Sequence, residues 1–279
     1  MTDGAVLVTG ATGNTGGFVC AELAAAGAAV TAAGRGGGAG PSGRGVRFDW
    51  YDRATWEPAL DGVDRIYLIA PTGESSPGSV MRPFLRLARD AGVRRAVLQS
   101  SSLIESGGPT LGDVHAAVAA TFPEWAVLRP SWFMQNFSGR HPHADSIRTS
   151  GVLTTATDGG RVGFIDVRDI ARVAAHALVS DVPLNCDPIL TGPAALSYAD
   201  VAGIVGRTTG RRVTHVAVDR DDMRRLLVAD GMSADYADML AGLDALIADG
   251  AEDRVTDEVR RLTGVPPRSF EEFAADVDW

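Results

Sequence analysis

The run Val6-Leu7-Val8-Thr9-Gly10-Ala11-Thr12-Gly13-Asn14-Thr15-Gly16 constrains this chain more than any other feature. An apolar stretch stops at Gly10, two further glycines follow at three-residue intervals, and an amphipathic stretch runs from Phe18 to Ala26. The pattern predicts a strand, a tight turn and the N-terminus of a helix. Bare backbone N–H groups and the positive end of a helix then converge on one spot, which suits a pyrophosphate. Gly10 permits the turn, Gly13 lets phosphates approach the backbone, and Gly16 lets the helix pack close to the strand. Thr12, Asn14 and Thr15 add short polar side chains to the cradle. A glycine triplet by itself also fits a purely structural turn. Its place directly after a strand, and a second signal at the right distance, favour a dinucleotide.

That second signal closes the next strand. Ala29 to Ala33 reads as a short buried strand ending in Gly34-Arg35. Chains that bind NAD usually place an acid here to hold the ribose 2′-hydroxyl. None is present, and Arg35 is placed to pair with a 2′-phosphate through a planar, permanently charged fork. Arg44, beyond the glycine-rich loop Gly36 to Gly43, is a second candidate. The expected cofactor is therefore NADPH rather than NADH. The competing reading of Arg35 is an ordinary solvated loop residue.

A chain of 279 residues accommodates one large α/β domain and a smaller appended subdomain. A net charge of −9 with no basic stripe argues against nucleic acid. No apolar run is long enough to span a bilayer, and the first segment reads as a sheet strand rather than a signal peptide. Cys20 and Cys186 lack metal-ligand spacing, and Cys20 reads as a small packing residue. A reduced, cytoplasmic protein, monomeric or homodimeric, acting on a small molecule is expected. All 26 basic residues are arginine. A Tyr-x-x-x-Lys catalytic pair is thus impossible, as are a P-loop lysine and a Schiff-base lysine.

The first half alternates strand and helix. Strands are expected at Val46 to Phe48, Arg65 to Ala70, Ala96 to Ser100 and Ala126 to Leu128. Helices are expected at Ala54 to Leu60, Ser79 to Ala91 and Gly112 to Phe122. Repeated βα units predict an α/β fold, a Rossmann-type doubly wound parallel sheet. Asp169 to Val179 reads as a helix returning to the sheet, with Asp166 and Asp169 as its cap and first-turn acids. From about Asp181 the chain reads as mainly helical, with one strand at Val213 to Val218. The expected division is residues 1–180 as the NAD(P)-binding domain, with 131–163 contributing to a substrate lobe, and 181–279 as a small, mainly helical C-terminal subdomain.

Several segments together resemble the NmrA-like atypical short-chain reductases. Thr9 to Gly16 is similar to that group as a whole. Phe48-Asp49-Trp50-Tyr51-Asp52, Leu128-Arg129-Pro130-Ser131-Trp132-Phe133-Met134-Gln135-Asn136-Phe137, Phe164-Ile165-Asp166-Val167-Arg168-Asp169-Ile170-Ala171 and Thr263-Gly264-Val265-Pro266-Pro267-Arg268-Ser269-Phe270 resemble one branch, the clavine-type ergot alkaloid reductases and their bacterial relatives. The resemblance implies an NADPH-dependent reductase, the fungal members acting on an iminium carbon–nitrogen bond. The wider group also contains cofactor-binding regulators without turnover.

The resemblance also implies roles for individual residues. It sets the Asp49 carboxylate against the adenine amino group with the Trp50 backbone beside it; otherwise Asp49 is a turn former. Ala70-Pro71-Thr72 passes the ribose and nicotinamide in related folds, although a proline also simply ends a strand. Ser100-Ser101-Ser102 stands where hydroxyls usually approach the nicotinamide, with Ser100 and Ser101 the candidates to orient a substrate or relay a proton. His115 lies on the helix that elsewhere carries Tyr-x-x-x-Lys, and it alone in that segment titrates near neutrality. It is a candidate proton donor or substrate contact, or else a helix-surface histidine. Trp132, Phe133, Met134 and Asn136 make a candidate wall for a planar, partly apolar substrate, with a hydrophobic corner as the alternative for Met134 and Phe137. Arg129-Pro130 reads as setting backbone geometry. His141 and His143 resemble a metal pair only superficially, with Asp145 the sole nearby acid, so no metal is expected. The favoured function is hydride transfer from NADPH to an iminium, enone or quinone. The alternatives are an NADP(H) sensor without turnover and a non-redox isomerase or cyclase.

Overall fold

The computed structural model describes residues 4–37 and 43–279. Residues 38–42 of the glycine-rich loop lie outside the described residues. In chain order the elements are β1 (Ala5–Thr9), α1 (Gly16–Ala25), β2 (Val30–Gly34), β3 (Gly43–Arg47), α2 (Trp56–Leu60), β4 (Val63–Leu68), α3 (Gly78–Asp90), β5 (Arg95–Gln99), α4 (Leu111–Thr121) and β6 (Glu124–Pro130). They continue with α5 (Pro142–Ser150), β7 (Val152–Thr155), β8 (Arg161–Val162), α6 (Val167–Val179), β9 (Ile189–Leu190), β10 (Leu196–Ser197) and α7 (Tyr198–Thr209). Last come β11 (Thr214–Ala217), α8 (Arg220–Ala229), α9 (Ala234–Ala248), α10 (Glu258–Thr263) and α11 (Phe270–Asp276). Met1–Pro130, Val167–Leu190 and Glu258–Val265 form one compact unit; Ser131–Asp166, Thr191–Asp257 and Pro266–Trp279 form a second.

The first unit is a seven-stranded sheet in the order β3-β2-β1-β4-β5-β6-β9, every neighbouring pair parallel. This is the expected Rossmann-type arrangement. The central strands are apolar on both faces because helices cover both. Leu7, Ile66, Leu68, Ala96 and Leu98 pack with Phe84, Val114 and Val118 from α3 and α4 in one buried cluster. Helix α6 packs against α1 and α10. Arg95 explains how α6 is held: its guanidinium donates to the carbonyls of Ala177, Leu178 and Ser180 at 3.2, 3.0 and 2.6 Å, and to Glu124 at 2.8 Å. A cation at a helix C-terminus satisfies carbonyls that lack an intrahelical partner.

Strand β4 stops two residues short of the expected Ala70. The Thr9 hydroxyl accepts the Ile69 N–H at 2.8 Å, so the backbone donor is taken by a side chain and the chain leaves the ladder there. The seventh strand was not expected. It is two residues long and exists only through pairing with Arg129 and Pro130, too short for any periodic signal.

The second unit is built around the Phe137 ring, which meets Phe164 and Phe270 edge-on at 5.3 Å in each case. Met134, Leu153, Tyr198, Ile204 and Phe273 complete this cluster. It holds four helices, α5, α7, α8 and α9, and the terminal α11, together with a parallel pair β7–β11 and an antiparallel pair β8–β10. No helix among the described residues is long and apolar enough to cross a membrane.

Candidate functional site

In the first unit the glycine turn leaves β1 at Gly10, whose φ of +64° is the left-handed conformation that favours glycine. The Gly13 N–H closes on the Gly10 carbonyl at 2.9 Å. A Cβ on Gly16 would lie 2.2 Å from that same oxygen and 2.7 Å from its carbon. Only hydrogen fits there, which is how α1 begins so close to the strand end. Thr15 precedes α1 and is buried, whereas Thr12, Gly13 and Asn14 are exposed. The Thr15 side chain makes no capping bond, so the first-turn N–H groups of α1 are not closed off by it.

This turn forms one wall of a cleft of about 460 Å³. The lining includes Gly10, Thr12, Gly13, Asn14, Thr15, Arg35, Asp49, Trp50, Ala70, Pro71 and Thr72, all singled out in the sequence, and also Tyr51, Ile69 and Gln99, which had no role assigned from sequence. Arg35 is exposed and makes no ion pair among the described residues. Arg44 stands elsewhere: it bonds Asp61 at 3.2 Å and the Pro58 carbonyl at 3.4 Å and does not line the cleft. Asp49 both lines the cleft and makes its turn, its Oδ1 accepting the Tyr51 N–H at 3.0 Å. The Trp50 indole is occupied, donating to the Ile69 carbonyl at 3.1 Å and packing edge-on against Phe48 and Phe84. Only its backbone is left for a ligand.

Tyr51 Oη donates to Glu74 Oε2 at 2.8 Å, joining the loop after β3 to the loop after β4. Hydrogen bonds from the Ser76 backbone and from Tyr51 hold the Glu74 carboxyl below its ordinary value. Gln99 is oriented by Tyr67, whose buried hydroxyl donates to Gln99 Oε1 at 2.7 Å. The Gln99 amide is thereby fixed at the cleft. The cradle fits a dinucleotide: backbone donors at a helix start, a site that a Cβ would fill, and an unpaired guanidinium after β2.

Ser100 is buried with its Oγ unpartnered, and Ser101 is partly exposed. His115 is not a surface residue. It is 2% exposed, its Nδ1 has no partner, and its Nε2 lies 3.8 Å from Asp187 Oδ2. Burial lowers its pKa, so the imidazole is neutral at pH 7. Arg129 does more than shape the backbone. Its guanidinium donates to Asp187 at 3.1 Å and the Ser102 carbonyl at 2.9 Å, and it pairs with Glu105.

The second unit has its own pocket, of about 350 Å³. Trp132 and Asn136 line it, beside Tyr198, Met223, Leu227, Met232, Tyr236 and Asp244. Met134 is 1% exposed and packs in the Phe137 cluster, the hydrophobic corner. Phe133 bridges to Ile165 through its backbone. His141 also lines the pocket, and its Nδ1 accepts the His143 N–H at 3.2 Å as the N-cap of α5. A ring nitrogen used as an acceptor requires neutral imidazole.

Three of the segments that carry the resemblance meet in one network. Asp166 is completely buried; its Oδ1 accepts from Gln135 Nε2 at 3.0 Å and its Oδ2 pairs with Arg268. Arg268 also reaches the Glu272 carbonyl at 3.0 Å and Asp276 at 2.8 Å, while Ser269 and Glu272 form a capping box at the start of α11. Asp169 sits in the first turn of α6, bonded to Arg172 at 2.7 Å.

A family model described as NAD(P)H-binding matches residues 10–181. The chain is 46% identical over 275 residues to the uncharacterized oxidoreductase YesF of Bacillus subtilis (strain 168), covering 99% of this chain and 96% of YesF. It is 38% identical over 280 residues to agroclavine dehydrogenase of Claviceps fusiformis, covering 97% and 96%. Among solved structures, the NADPH complex of the quinone oxidoreductase QOR2 from Escherichia coli superposes with a TM-score of 0.81 at 23% identity, covering 97% and 98%.

Proposed function

The chain belongs to the NAD(P)H-binding family, and we propose that it is an NADPH-dependent reductase of the atypical short-chain kind acting on an electron-poor C=N, C=C or quinone bond of a small, partly apolar molecule. The observation that carries this reading is the glycine turn opening on the 460 Å³ cleft with Arg35 unpaired beside it. Reduced nicotinamide, when bound, supplies the hydride.

The chain's own residues bind and orient. N–H groups of the Gly10–Gly16 turn take the pyrophosphate, Arg35 the 2′-phosphate, and the Asp49 carboxylate with the Trp50 backbone the adenine. Ala70, Pro71 and the fixed Gln99 amide border the remainder of the cofactor. Trp132, Asn136 and the pocket they line in the second unit take the substrate. Positioning in a site that excludes water is then the main catalytic contribution.

An iminium nitrogen already carries positive charge, so its reduction needs no proton donor. That suits a chain with no lysine and a neutral, buried histidine. His115 Nε2 lies 3.8 Å from Asp187, beyond hydrogen-bond reach, and Ser101, whose hydroxyl makes no bond among the described residues, is the group left to orient a substrate. A ketone, which needs a well-placed acid, is the poorer substrate.

The test is NADPH oxidation by the purified protein with a cyclic iminium, a quinone and a matched ketone, using stereospecifically deuterated NADPH. Deuterium appearing in the product of the iminium or quinone, with the ketone at least tenfold slower, is expected. Absence of oxidation with every acceptor, together with tighter binding of NADP⁺ than NADPH, overturns the reading in favour of a nucleotide sensor.

A further inference from the structure

In the second unit, Asp244 on α9 stands in an otherwise uncharged pocket. Its Oδ2 accepts the Ala156 N–H at 2.8 Å, and it makes no ion pair among the described residues. The guanidiniums of the packed helix α8 are engaged by other acids: Arg220 and Arg224 lie 2.9 and 3.8 Å from Asp238, and Arg225 pairs with Asp222. The pocket's two imidazoles carry no compensating charge. Burial, reinforced by His141 and His215, pushes the His143 pKa down to about 3, and burial also lowers that of His141. Burial raises the Asp244 carboxyl above its ordinary value, with the Ala156 bond opposing it. Asp244 is half-buried; a partly desolvated carboxylate without a cation is under-compensated, and such a group is a candidate site for a ligand that completes the charge. The remaining walls favour the same ligand. Trp132 and Tyr236 offer aromatic faces, and Met223 and Met232 offer polarisable sulfur.

We propose that Asp244 is the charge-selecting residue of this pocket and that the pocket takes an apolar organic cation in preference to a neutral or anionic ligand of the same shape. The proposal rests on the reading of the second unit as the substrate-holding part, and it narrows that substrate by charge. It requires no turnover, so it is tested by binding alone.

Calorimetry with phenyltrimethylammonium and its neutral isostere tert-butylbenzene compares charge at constant shape. The cation should bind about tenfold or more tightly. Asp244→Asn keeps an acceptor for the Ala156 N–H and should remove that preference, while tert-butylbenzene binding stays within about twofold. Asp235→Asn, an exposed carboxylate on the same helix, makes the same change in net charge and should leave the preference intact. The wild-type comparison stands even if a variant misfolds. Equal binding of the two probes, or equal loss of both in Asp244→Asn, overturns the proposal. NADPH binding alongside equal probe binding would sink the charge selectivity and leave the reductase reading standing. Cation preference without any nucleotide binding would do the reverse.

Discussion

Arg268→Met tests whether the Gln135–Asp166–Arg268 network holds the second unit together. Asp166 is 0% exposed and the Arg268 side chain only 18%, so their attraction is poorly screened by water. Methionine fills much of the stem volume but removes the guanidinium, which also serves the Glu272 carbonyl and Asp276. Breaking a buried pair from one side typically costs about 3–5 kcal/mol, because the remaining charge stays buried. The Gln135 bond to Asp166 survives the change, which argues for the lower end, about 3 kcal/mol. For a urea slope near 2 kcal/mol per molar, the midpoint should fall by about 1.5 M. Adding Asp166→Asn should recover at least about 1 kcal/mol, since the stranded charge disappears. Urea unfolding followed by tryptophan fluorescence reads both, with Trp132 and Trp279 packed on this core. A shift below about 1 kcal/mol, or a double variant that is simply the sum of the two losses, would refute the argument.

Other outcomes follow from the same geometry. Gly16→Ala places a methyl 2.2 Å from the Gly10 oxygen; α1 must move away, and nucleotide affinity should drop at least about a hundredfold by calorimetry. Arg44→Ala removes an exposed pair with Asp61 and should change NADPH affinity less than about twofold. His143, with its pKa pushed down to about 3, stays neutral in the fold while the unfolded chain protonates below about pH 6.5. The unfolded state then holds more protons, so stability falls as pH drops from about 6.5 towards 3, by up to about 1.4 kcal/mol per unit. In acid titrations of the melting temperature, His143→Phe should flatten that limb; an unchanged slope would exclude His143 as its source.

The dinucleotide half of the chain was legible because its signals are local. Glycine spacing set the turn, and continuous apolar runs marked strands covered on both faces, so β1, β2, β4, β5 and β6 could be placed in the sequence. Cleft residues supplied by side-chain geometry were not. Gln99 looked like a strand residue until Tyr67 fixed its amide, and Tyr51 reaches Glu74 across 23 positions of sequence. Arg44 was misread because sequence cannot show that Asp61 takes it. Strand β9 of the first unit and β8 and β10 of the second are each two residues long and arise from long-range pairing. For Met134 a substrate wall and a hydrophobic corner were both open in the sequence, and the Phe137 cluster takes it. Asp244 gave no local sign, since one acid on an amphipathic helix reads as part of a solvated face.

The most direct test of the central claim is a calorimetric titration with NADPH, NADP⁺, NADH and NAD⁺, performed on the wild-type protein and on Arg35→Ala. The account predicts that NADPH binds tightest and that Arg35→Ala weakens it about ten- to a hundredfold while changing NADH by less than about threefold. Equal affinity for NADPH and NADH in the wild type, or no binding of any nucleotide, would contradict it.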